Sequence, residues 1–260
     1  MGFKRIGHKT HAKMLLVLRR EQGRIRRYGH LGTGNYHQRT ARLYTDFGLM
    51  TANPVICEDM DKVFAQLTGL GARRQLNLLL QSPFSLHQAV MGLIKAETAA
   101  AKAGKKARIM AKMNSLLEPQ VIEALYAASQ AGVKVDLVVR GVCALRAGVT
   151  GLSDNIRVRS IIGRFLEHSR VFYFYAGGQE QVYLSSADWM DRNFFRRVEV
   201  GFPVLDPTLK RRVIRESFTL AFKDNVRGWV QQPDGKFTQV ASRSAPFSMH
   251  DELIRLLGTK

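Results

Sequence analysis

The segments 10-THAKM-14 and 31-LGTGN-35 decide how this sequence is interpreted. Alternation along a strand places His11 and Lys13, two residues apart, on the same face. Two apolar runs joined by a Glu-Gln-Gly turn lie between the segments, which predicts a β-hairpin. The second segment ends at Asn35 in a glycine-rich turn. A histidine, a lysine and such a turn together indicate a site for an anion.

A second block in the other half of the chain repeats this order. His168 and Arg170 take the places of the histidine and the lysine, another predicted hairpin follows, and 185-SSAD-188 replaces the glycine-rich turn. The histidine precedes the closing Asn or Asp by 24 positions in the first block and by 20 in the second. The repeat predicts two related α/β domains whose half-sites face each other across one catalytic pocket.

Two histidines at one pocket suit the transfer of a phosphoryl group. His11 would attack phosphorus as the nucleophile, and the second histidine would give a proton to the leaving oxygen. Lys13 and Arg170 would hold the anionic oxygens. The small hydroxyl residues Thr33 and Ser186 would leave room for backbone amides to approach the phosphate.

Each of these residues also has an ordinary structural explanation. A single histidine near a strand is commonly a hydrogen-bonded structural residue, and Lys13 would be unremarkable on a surface. Thr33 and Asn35 suit a tight turn, while Ser186 and Asp188 suit a helix cap. Both explanations stand for single residues, whereas the paired order of the two blocks favours a site.

The composition indicates a polyanionic partner. The 260 residues include 40 Lys and Arg against 21 Asp and Glu, a formal net charge of +19. Such an excess points to nucleic acid, an acidic membrane or polyphosphate, with a basic surface kept for solubility as the alternative. Cys57 and Cys143 match no metal or redox spacing. No apolar run approaches the ~20 residues of a membrane span, and the basic start lacks the apolar core of a secretory signal.

Periodicity and punctuation residues predict alternating strands and helices. We place a domain boundary near residue 79, which gives a first domain over 1–79 and a second over 80–260 with a polar tail after about 228. The predicted helices cover 59–68 (capped by Glu58 or Asp59, with a stop at Gly69–Gly71), 85–104 (capped by Ser85), 119–132, a segment from Asp206-Pro207, and 250–258. The predicted strands after the first hairpin cover 75–84, 107–114, 133–141, 171–177, 181–186 and 197–205, with 107–114 and 133–141 parallel.

Longer strings carry a family resemblance. His-x-Lys with a later Gly-Thr-x-Asn resembles the phospholipase D superfamily. The strings 27-RYGHLGTGNYHQRTARLYTDFGLMTANP-54, 138-VVRGVCALRAGVTGLSDNIRVRSIIGRFLEHSRVFYF-174, 184-LSSADWMDRN-193 and 197-RVEV-200 resemble the polyphosphate kinase family, the phospholipase-D-related type. The resemblance runs in order from about residue 5 to about residue 230.

The resemblance implies an activity and specific roles. Such enzymes reversibly transfer the terminal phosphate of ATP to inorganic polyphosphate through a phosphohistidine, with Mg²⁺. His11 matches the phosphohistidine position, and His168 matches a second histidine that acts as acid or base near the phosphates. Tyr44 matches an aromatic residue that contacts the nucleotide, and Arg140 an arginine on its phosphates. The resemblance also implies a homo-oligomer and a cytoplasmic protein that can lie at the inner face of the membrane.

Departures from both families leave three hypotheses. Neither block has the Asp of the complete phospholipase D motif, and Arg170 and Asp188 replace Lys and Asn, which argues against phosphodiester hydrolysis. Polyphosphate kinases are far longer, so we expect only the catalytic C-terminal portion here, with the first domain truncated at its N-terminus. The hypotheses are a polyphosphate kinase fragment, a phospholipase-D-like phosphodiesterase or nuclease, and an inactive polyanion-binding remnant. The first hypothesis involves no specific nucleic acid. The sequence assigns no metal ligands.

Overall fold

The structure, a computed structural model, describes residues 4–5, 8–69, 74–241 and 244–258. Within these ranges the strands are β1 (Lys4–Arg5), β2 (His8–Thr10), β3 (Lys13–Glu21), β4 (Arg24–Gly32), β5 (Tyr44–Thr45), β6 (Gly48–Thr51), β7 (Leu80–Ser82), β8 (Arg108–Met113), β9 (Lys134–Val139), β10 (Ile156–Ile161), β11 (Leu166–Glu167), β12 (Arg170–Phe174), β13 (Gln181–Ser185), β14 (Arg197–Pro203), β15 (Gly228–Gln231) and β16 (Phe237–Gln239). The helices there are α1 (Gln38–Ala41), α2 (Pro54–Thr68), α3 (Leu86–Lys102), α4 (Pro119–Gln130), α5 (Asp191–Phe195), α6 (Pro207–Ile214), α7 (Leu220–Lys223) and α8 (Met249–Leu257). A 3₁₀ turn covers Ala176–Gly178, and a π-helical turn, Arg215–Thr219, joins α6 to α7.

A large mixed sheet forms the centre of the molecule. Its strand order is β1-β2-β14-β13-β12-β8-β9-β10-β15-β16, with β7 paired to β14. β8, β9 and β10 are parallel, and α4 connects β8 to β9 as the sequence predicts. Alternate residues of β8 enter two different cores: Ile109 and Ala111 pack with α3 and α4, and Met110 packs with the π-helical turn and α7. Both faces are therefore buried, which explains why these strands read as continuous apolar runs.

The first hairpin belongs to a separate small sheet. β3 pairs with β4 along its whole length, and β4 pairs with β6. The predicted turn lies at Gln22 and Gly23, both of which have positive φ. Helix α2 packs closely on this sheet at Gly29, where a Cβ would come within 2.5 Å of the sulfur of Met60. The hairpin of the first block is thus held in place by a helix of the same half.

The two halves share strands. β2 pairs in parallel with β14 of the large sheet, and β5 pairs in parallel with β11. These pairings bring the start of β3 and the residues after β11 to the same region. The α/β class with two parts is confirmed, whereas the boundary near residue 79 stays a prediction because strands from both sides of it join one sheet.

The predicted start of α2 is wrong. The helix begins at Pro54, and Asn53 is its cap, since its Oδ1 accepts from the amides of Val55 at 3.0 Å and Ile56 at 3.1 Å. The predicted stop at Gly69 agrees with the left-handed residue that ends the helix, and Gly71 lies outside the described residues. A Pro at the first helical position is tolerated because its missing N–H would have no helical partner.

Asp59 explains a second difference. It is buried inside α2, and its Oδ2 accepts from three consecutive amides of the loop before β7, at Asn77, Leu78 and Leu79, at 2.8, 2.7 and 3.0 Å. Those amides are thereby unavailable for a sheet, so the predicted strand over 75–84 shrinks to β7. Ser85 does precede α3, but its hydroxyl accepts from the amide of Gln81 at 3.0 Å instead of capping the helix.

The tail is more ordered than its polarity predicts. β15 pairs with β10, β16 pairs with β15, and α8 follows. Gln231 is buried there, and its amide group bonds to Ala147 N and Leu145 O, both at 3.0 Å. A satisfied polar side chain can therefore serve an interior strand. None of the helices in the described ranges is long and apolar enough to cross a membrane.

Candidate active site

The two blocks fold with the same register. Lys13 lies opposite Gly32 in the first hairpin, and Arg170 lies opposite Ser185 in the second. The residue after each of these partners is a small hydroxyl residue, Thr33 in the first block and Ser186 in the second. The sequence repeat is therefore also a repeat in structure.

Each small hydroxyl residue holds a carboxylate thirteen positions later in the chain. Thr33 Oγ1 donates to Asp46 Oδ1 at 2.6 Å and accepts from the amide that follows Asp46 at 3.0 Å. The Ser186 hydroxyl donates to Glu199 and accepts from the amide that follows Glu199 at 3.1 Å. Gly34 leaves space for this arrangement, because a Cβ there would overlap the Asp46 carboxylate. Asp46 and Glu199 are thus equivalent residues of the two blocks.

Each histidine bonds to the carboxylate of the other half of the chain. His11 Nδ1 lies 2.9 Å from Glu199 Oε2, and His168 Nδ1 lies 2.9 Å from both oxygens of Asp46. A carboxylate at Nδ1 fixes the Nδ1–H tautomer and leaves Nε2 as the reactive nitrogen. Each half of the chain consequently supplies the carboxylate partner for the histidine of the other half.

Glu199 is built to accept positive charge from His11. Its side chain has no exposed surface, and it is held by the Ser186 hydroxyl and by Asn193 Nδ2 at 2.6 Å. A buried carboxylate requires such partners. His11 itself is 21% exposed, and its Nε2 makes no hydrogen bond within the part of the chain that the structure describes. An incoming phosphate can therefore approach Nε2.

Lys13 is a buried cation beside both carboxylates. Its Nζ donates to the His11 carbonyl. Burial is the main cause that lowers the pKa of Lys13 to about 8; Arg170 lowers it further, while Glu199 and Asp46 oppose the shift. Lys13 makes no ion pair within the described residues, so its charge at pH 7 is available to a phosphate.

Arg170 is engaged with other residues of the site. It forms a two-pronged contact with Asp188, with Nε–Oδ1 at 3.2 Å and Nη2–Oδ2 at 3.1 Å, and it is 4% exposed. Its Nη1 donates to the Thr33 carbonyl at 3.3 Å and lies 3.1 Å from His168 Nε2. With its donors already engaged, Arg170 orients its neighbours, and the geometry favours this over direct phosphate binding.

His168 lies between a carboxylate and two cations. Burial is the largest cause that lowers the pKa of His168; Arg170 and Lys13 also lower it, and the hydrogen bond with Asp46 opposes the shift. The ring of Tyr44 packs on it, with 5.0 Å between the ring centroids. His168 is therefore neutral at pH 7 in the free protein, with Nδ1–H directed to Asp46.

Asn114 connects Arg140 to this centre. The Asn114 amide and Nδ2 donate to Asp188 Oδ1 at 2.7 and 3.1 Å, and Arg140 Nε donates to Asn114 Oδ1 at 3.0 Å. Asn114 and Arg140 each follow the last residue of a parallel strand, β8 and β9. Ligand sites in such sheets lie at the carboxyl ends of the strands.

Three predicted residues do not present their side chains to the pocket: Asn35, Ser186 and Thr33, whose buried hydroxyl is engaged with Asp46. Asn35 is exposed, and its side chain makes no hydrogen bond within the described ranges. Its carbonyl accepts from the amide of His37 at 2.9 Å, so it serves the turn. Ser186 is buried behind Glu199, where its hydroxyl positions the carboxylate and has no access to a phosphate.

Three site residues escaped the sequence analysis: Asp46, Glu199 and Asn114. A signal for the two carboxylates was present, since each lies thirteen positions after the small hydroxyl residue of its block. Asn114 carried the weaker signal of a polar residue at the end of an apolar strand. Within the described residues no group of three or more His, Cys, Asp or Glu side chains could hold a metal ion.

Comparison with known proteins adds independent findings. The family model "Polyphosphate kinase C-terminal domain 1" matches residues 2–73, and "Polyphosphate kinase C-terminal domain 2" matches residues 79–254. The polyphosphate kinase of Burkholderia vietnamiensis is 65% identical over 236 residues, which is 89% of this chain and 34% of that protein. That of Paraburkholderia phytofirmans is 61% identical over 252 residues, 94% of this chain and 37% of the relative.

A solved structure is also similar. The crystal structure of the polyphosphate kinase from Porphyromonas gingivalis superimposes with a TM-score of 0.91 at 37% identity, covering 97% of this chain and 39% of that chain. This chain therefore spans about a third of the length of the curated relatives it matches.

Proposed function

The chain belongs to the polyphosphate kinase family, and from that premise we propose that it carries the centre that transfers the terminal phosphate of ATP to inorganic polyphosphate and back. The observation that supports this most is that each histidine bonds to a carboxylate from the other half of the chain: His11 bonds to Glu199 and His168 bonds to Asp46. A nucleophilic imidazole and a second titratable imidazole at one pocket suit phosphoryl transfer in two steps.

In the first step, Nε2 of His11 attacks the terminal phosphorus of ATP. An N–P bond forms while the P–O bond to ADP breaks, and ADP leaves with that electron pair. The imidazole gains positive charge as the bond forms, and the buried Glu199 carboxylate at Nδ1 stabilises that charge. The protonated Lys13 neutralises the phosphoryl oxygens.

In the second step, a terminal oxygen of polyphosphate attacks the phosphorus held on His11. A new P–O bond forms, the N–P bond breaks, and its electron pair returns to Nε2. The polyphosphate is then one phosphate longer, and reversal of both steps makes ATP. The same charged groups act in both directions because each step passes through a similar arrangement of phosphoryl oxygens.

His168 handles the proton at the other end of the transfer. It is neutral at pH 7 before substrate binds, because burial and the nearby cations lower its pKa. A bound polyanion favours the protonated imidazole, so substrate raises the pKa of His168 and makes it an acid for the leaving oxygen. Tyr44 and Arg140 then contact the nucleotide, as the resemblance implies.

Magnesium is the cofactor that the family implies. The carboxylates nearest the histidines are Asp46, Asp188 and Glu199, and each is engaged with a histidine or an arginine. The residues that the structure describes therefore do not fit a protein-held magnesium site. We assign the ion to the phosphates of the nucleotide, where magnesium keeps most of its water ligands.

Three further parts of the proposal concern the setting of the enzyme. We propose that the protein works in the cytoplasm, where ATP is present, and that its basic surface allows it to lie at the inner face of the membrane. We also propose self-association, as in the family. No specific nucleic acid is part of the function.

Product analysis tests the proposal. We expect ADP and lengthened polyphosphate from ATP, ATP from ADP and polyphosphate, loss of both reactions in His11→Ala, and retention in the control His37→Ala, whose exposed histidine lies outside the site. The unsubstituted Burkholderia vietnamiensis relative is the positive control, and the same relative with its matching histidine replaced by Ala is the negative control. Cleavage of a phosphodiester substrate without phosphoryl transfer would favour the hypothesis of a phospholipase-D-like phosphodiesterase or nuclease. The third hypothesis, an inactive polyanion-binding remnant, would be favoured by two results together: the unsubstituted chain transfers no phosphate, and salt-sensitive polyphosphate binding persists in His11→Ala.

A further inference from the structure

Three ionisable side chains meet in the interior behind His168. Lys112 of β8, Glu167 of β11 and His250 of α8 are each 3% exposed or less. His250 Nε2 lies 2.6 Å from Glu167 Oε1, and Lys112 forms an ion pair with the other carboxylate oxygen. None of these residues belongs to the two repeated blocks, and the proposed mechanism does not use them.

The contacts fix the state of each group. The amide of Phe165 donates to His250 Nδ1 at 3.3 Å, so Nε2 carries the proton that His250 donates to Glu167. Burial alone would raise the pKa of Glu167, but Lys112 and His250 hold it at about 2. Glu167 is therefore ionised. Removal of Lys112 would leave its buried charge without a counter-ion, and removal of His250 would leave one of its buried oxygens without a hydrogen bond.

Room for this cluster is built into the chain. A Cβ at Gly163 would come within 2.5 Å of His250 Nδ1, so a glycine is required for the imidazole to reach the loop before β11. A cavity of about 360 Å³ lies next to the cluster, between β5 and α8, and Lys112 is part of its wall. Beside this cavity, the bond from His250 to Glu167 connects α8 directly to β11.

The position of Glu167 connects the cluster to the candidate active site. Glu167 directly precedes His168, and β11 consists of only two residues, which pair with β5 just before Asp46. Glu167 reaches Lys112 and His250, whereas His168 reaches Asp46 and Arg170. The two neighbouring side chains therefore leave the backbone in different directions, one into the cluster and one into the pocket.

We propose that Glu167, clamped by Lys112 and His250, is a positioning residue for His168, and that it makes helix α8 a functional part of the site although α8 touches no reacting atom. The proposal rests on the role given to His168 in the proposed function. A two-residue strand is a weak anchor by itself, and the buried ion pair adds a contact with defined direction. Loss of the clamp would free His168 from Asp46, Arg170 and Lys13, and expose its ring to water.

The test replaces His250 and follows His168. The variants are His250→Leu, which removes both hydrogen bonds, and His250→Gln, which keeps an N–H donor for Glu167. Leu253→Ala is the control, because it weakens the apolar packing of the same helix without removing a hydrogen bond or ion pair of the cluster. The pKa of His168 is measured by NMR on protein with labelled histidines, its signal assigned by its loss in His168→Gln, and phosphoryl transfer and thermal unfolding are measured on the same samples.

We expect His250→Leu to raise the pKa of His168 toward that of a free histidine and to lower kcat by about tenfold or more, with KM for ATP changed less than about twofold. His250→Gln restores most of both, and Leu253→Ala lowers the unfolding temperature while the pKa of His168 stays as in the unsubstituted chain. An unchanged pKa of His168 in His250→Leu, or an equal shift in Leu253→Ala, would overturn the proposal. The NMR result stands without phosphotransfer, so failure of the proposed function is distinguishable.

A variant on the facing segment guards against misfolding of His250→Leu. Gly163→Ala places a methyl group against His250 Nδ1 and leaves the helix sequence intact. We expect the same direction of change in the pKa of His168 as for His250→Leu. A folded Gly163→Ala protein in which His250 is displaced and the pKa of His168 is unaltered would also overturn the proposal.

Discussion

Glu199 has no exposed surface, and its carboxylate accepts hydrogen bonds from His11, Ser186 and Asn193. These contacts orient the imidazole and place a negative charge where positive charge would develop in the proposed attack on phosphorus. Asp46 does the same for the second histidine from the opposite half of the chain. The chemistry therefore depends on residues that are far from the histidines in sequence.

Replacement of the carboxylate tests this dependence. In Glu199→Gln the side chain still fills its space, but the negative charge beside His11 is lost. We expect phosphohistidine formation to slow by about 100-fold or more, measured by rapid quench and mass spectrometry. Glu58→Gln, at an exposed position of α2, is the matched control and should react at the normal rate. Equal rates for both variants would show that Glu199 does not support the nucleophile.

Lys13 predicts a particular pH dependence. Its pKa of about 8 means that it carries its charge at pH 7 and loses it as the pH rises through 8 in the free protein. Affinity for polyphosphate should therefore fall between about pH 7 and 9, and binding measured by calorimetry would show this. In Lys13→Arg the cation persists to higher pH, so the fall should disappear. A fall that is the same in both proteins would assign the titration to another group.

The sequence indicates the candidate nucleophile more readily than the residues that would support it. His11, His168, Lys13 and Arg170 could be found because each stands in a repeated block. Their partners could not be assigned from the blocks alone, because the carboxylates cross between the halves and that exchange depends on how the two sheets meet. The site role of Asn35 was unsupported for a related reason, since its turn leaves the side chain in solvent.

Helix α2 shows how one element can be tested. Asn53 Oδ1 accepts from two amides of the first turn, whereas Glu58 lies inside the helix with an exposed side chain. Asn53→Ala should lower the free energy of unfolding by about 1 kcal/mol, and Glu58→Ala by a few tenths. Urea denaturation of both variants measures the difference. A larger loss for Glu58→Ala would contradict the cap at Asn53.

The elements that periodicity predicts well are those whose partners are local in sequence. The hairpin β3–β4 and the unit β8–α4–β9 were found at nearly their observed bounds. Segments that depend on distant partners were missed or mislocated. Strand β15 is only four residues long, lies in a turn-rich tail, and is stabilised by pairing with β10 and by the buried hydrogen bonds of Gln231, and the loop before β7 is held by Asp59. Neither partner can be recognised from the segment's own composition.

At the scale of the whole molecule, the charge of +19 predicts salt-sensitive binding. A polyanion releases counterions when cations neutralise it, so the logarithm of the binding constant falls linearly with the logarithm of salt concentration. Raising salt from about 50 to about 200 mM should weaken polyphosphate binding by about tenfold or more. Lys13→Met should reduce the slope by about one, whereas Lys236→Met, at an exposed ion pair with Asp234, should leave it unchanged. A slope near zero would contradict an electrostatic partner.

The central claim is that His11 carries the phosphate, and direct detection of that phosphate tests it best. The chain is incubated with magnesium and ATP or polyphosphate, and acid-labile, base-stable phosphate is located by intact mass and peptide mapping, with His11→Ala and the Burkholderia vietnamiensis relative in parallel. We predict one phosphate on His11, absent from the variant. If the relative becomes labelled at its matching histidine while this chain carries no phosphate on His11, or carries it on another residue, the account is contradicted.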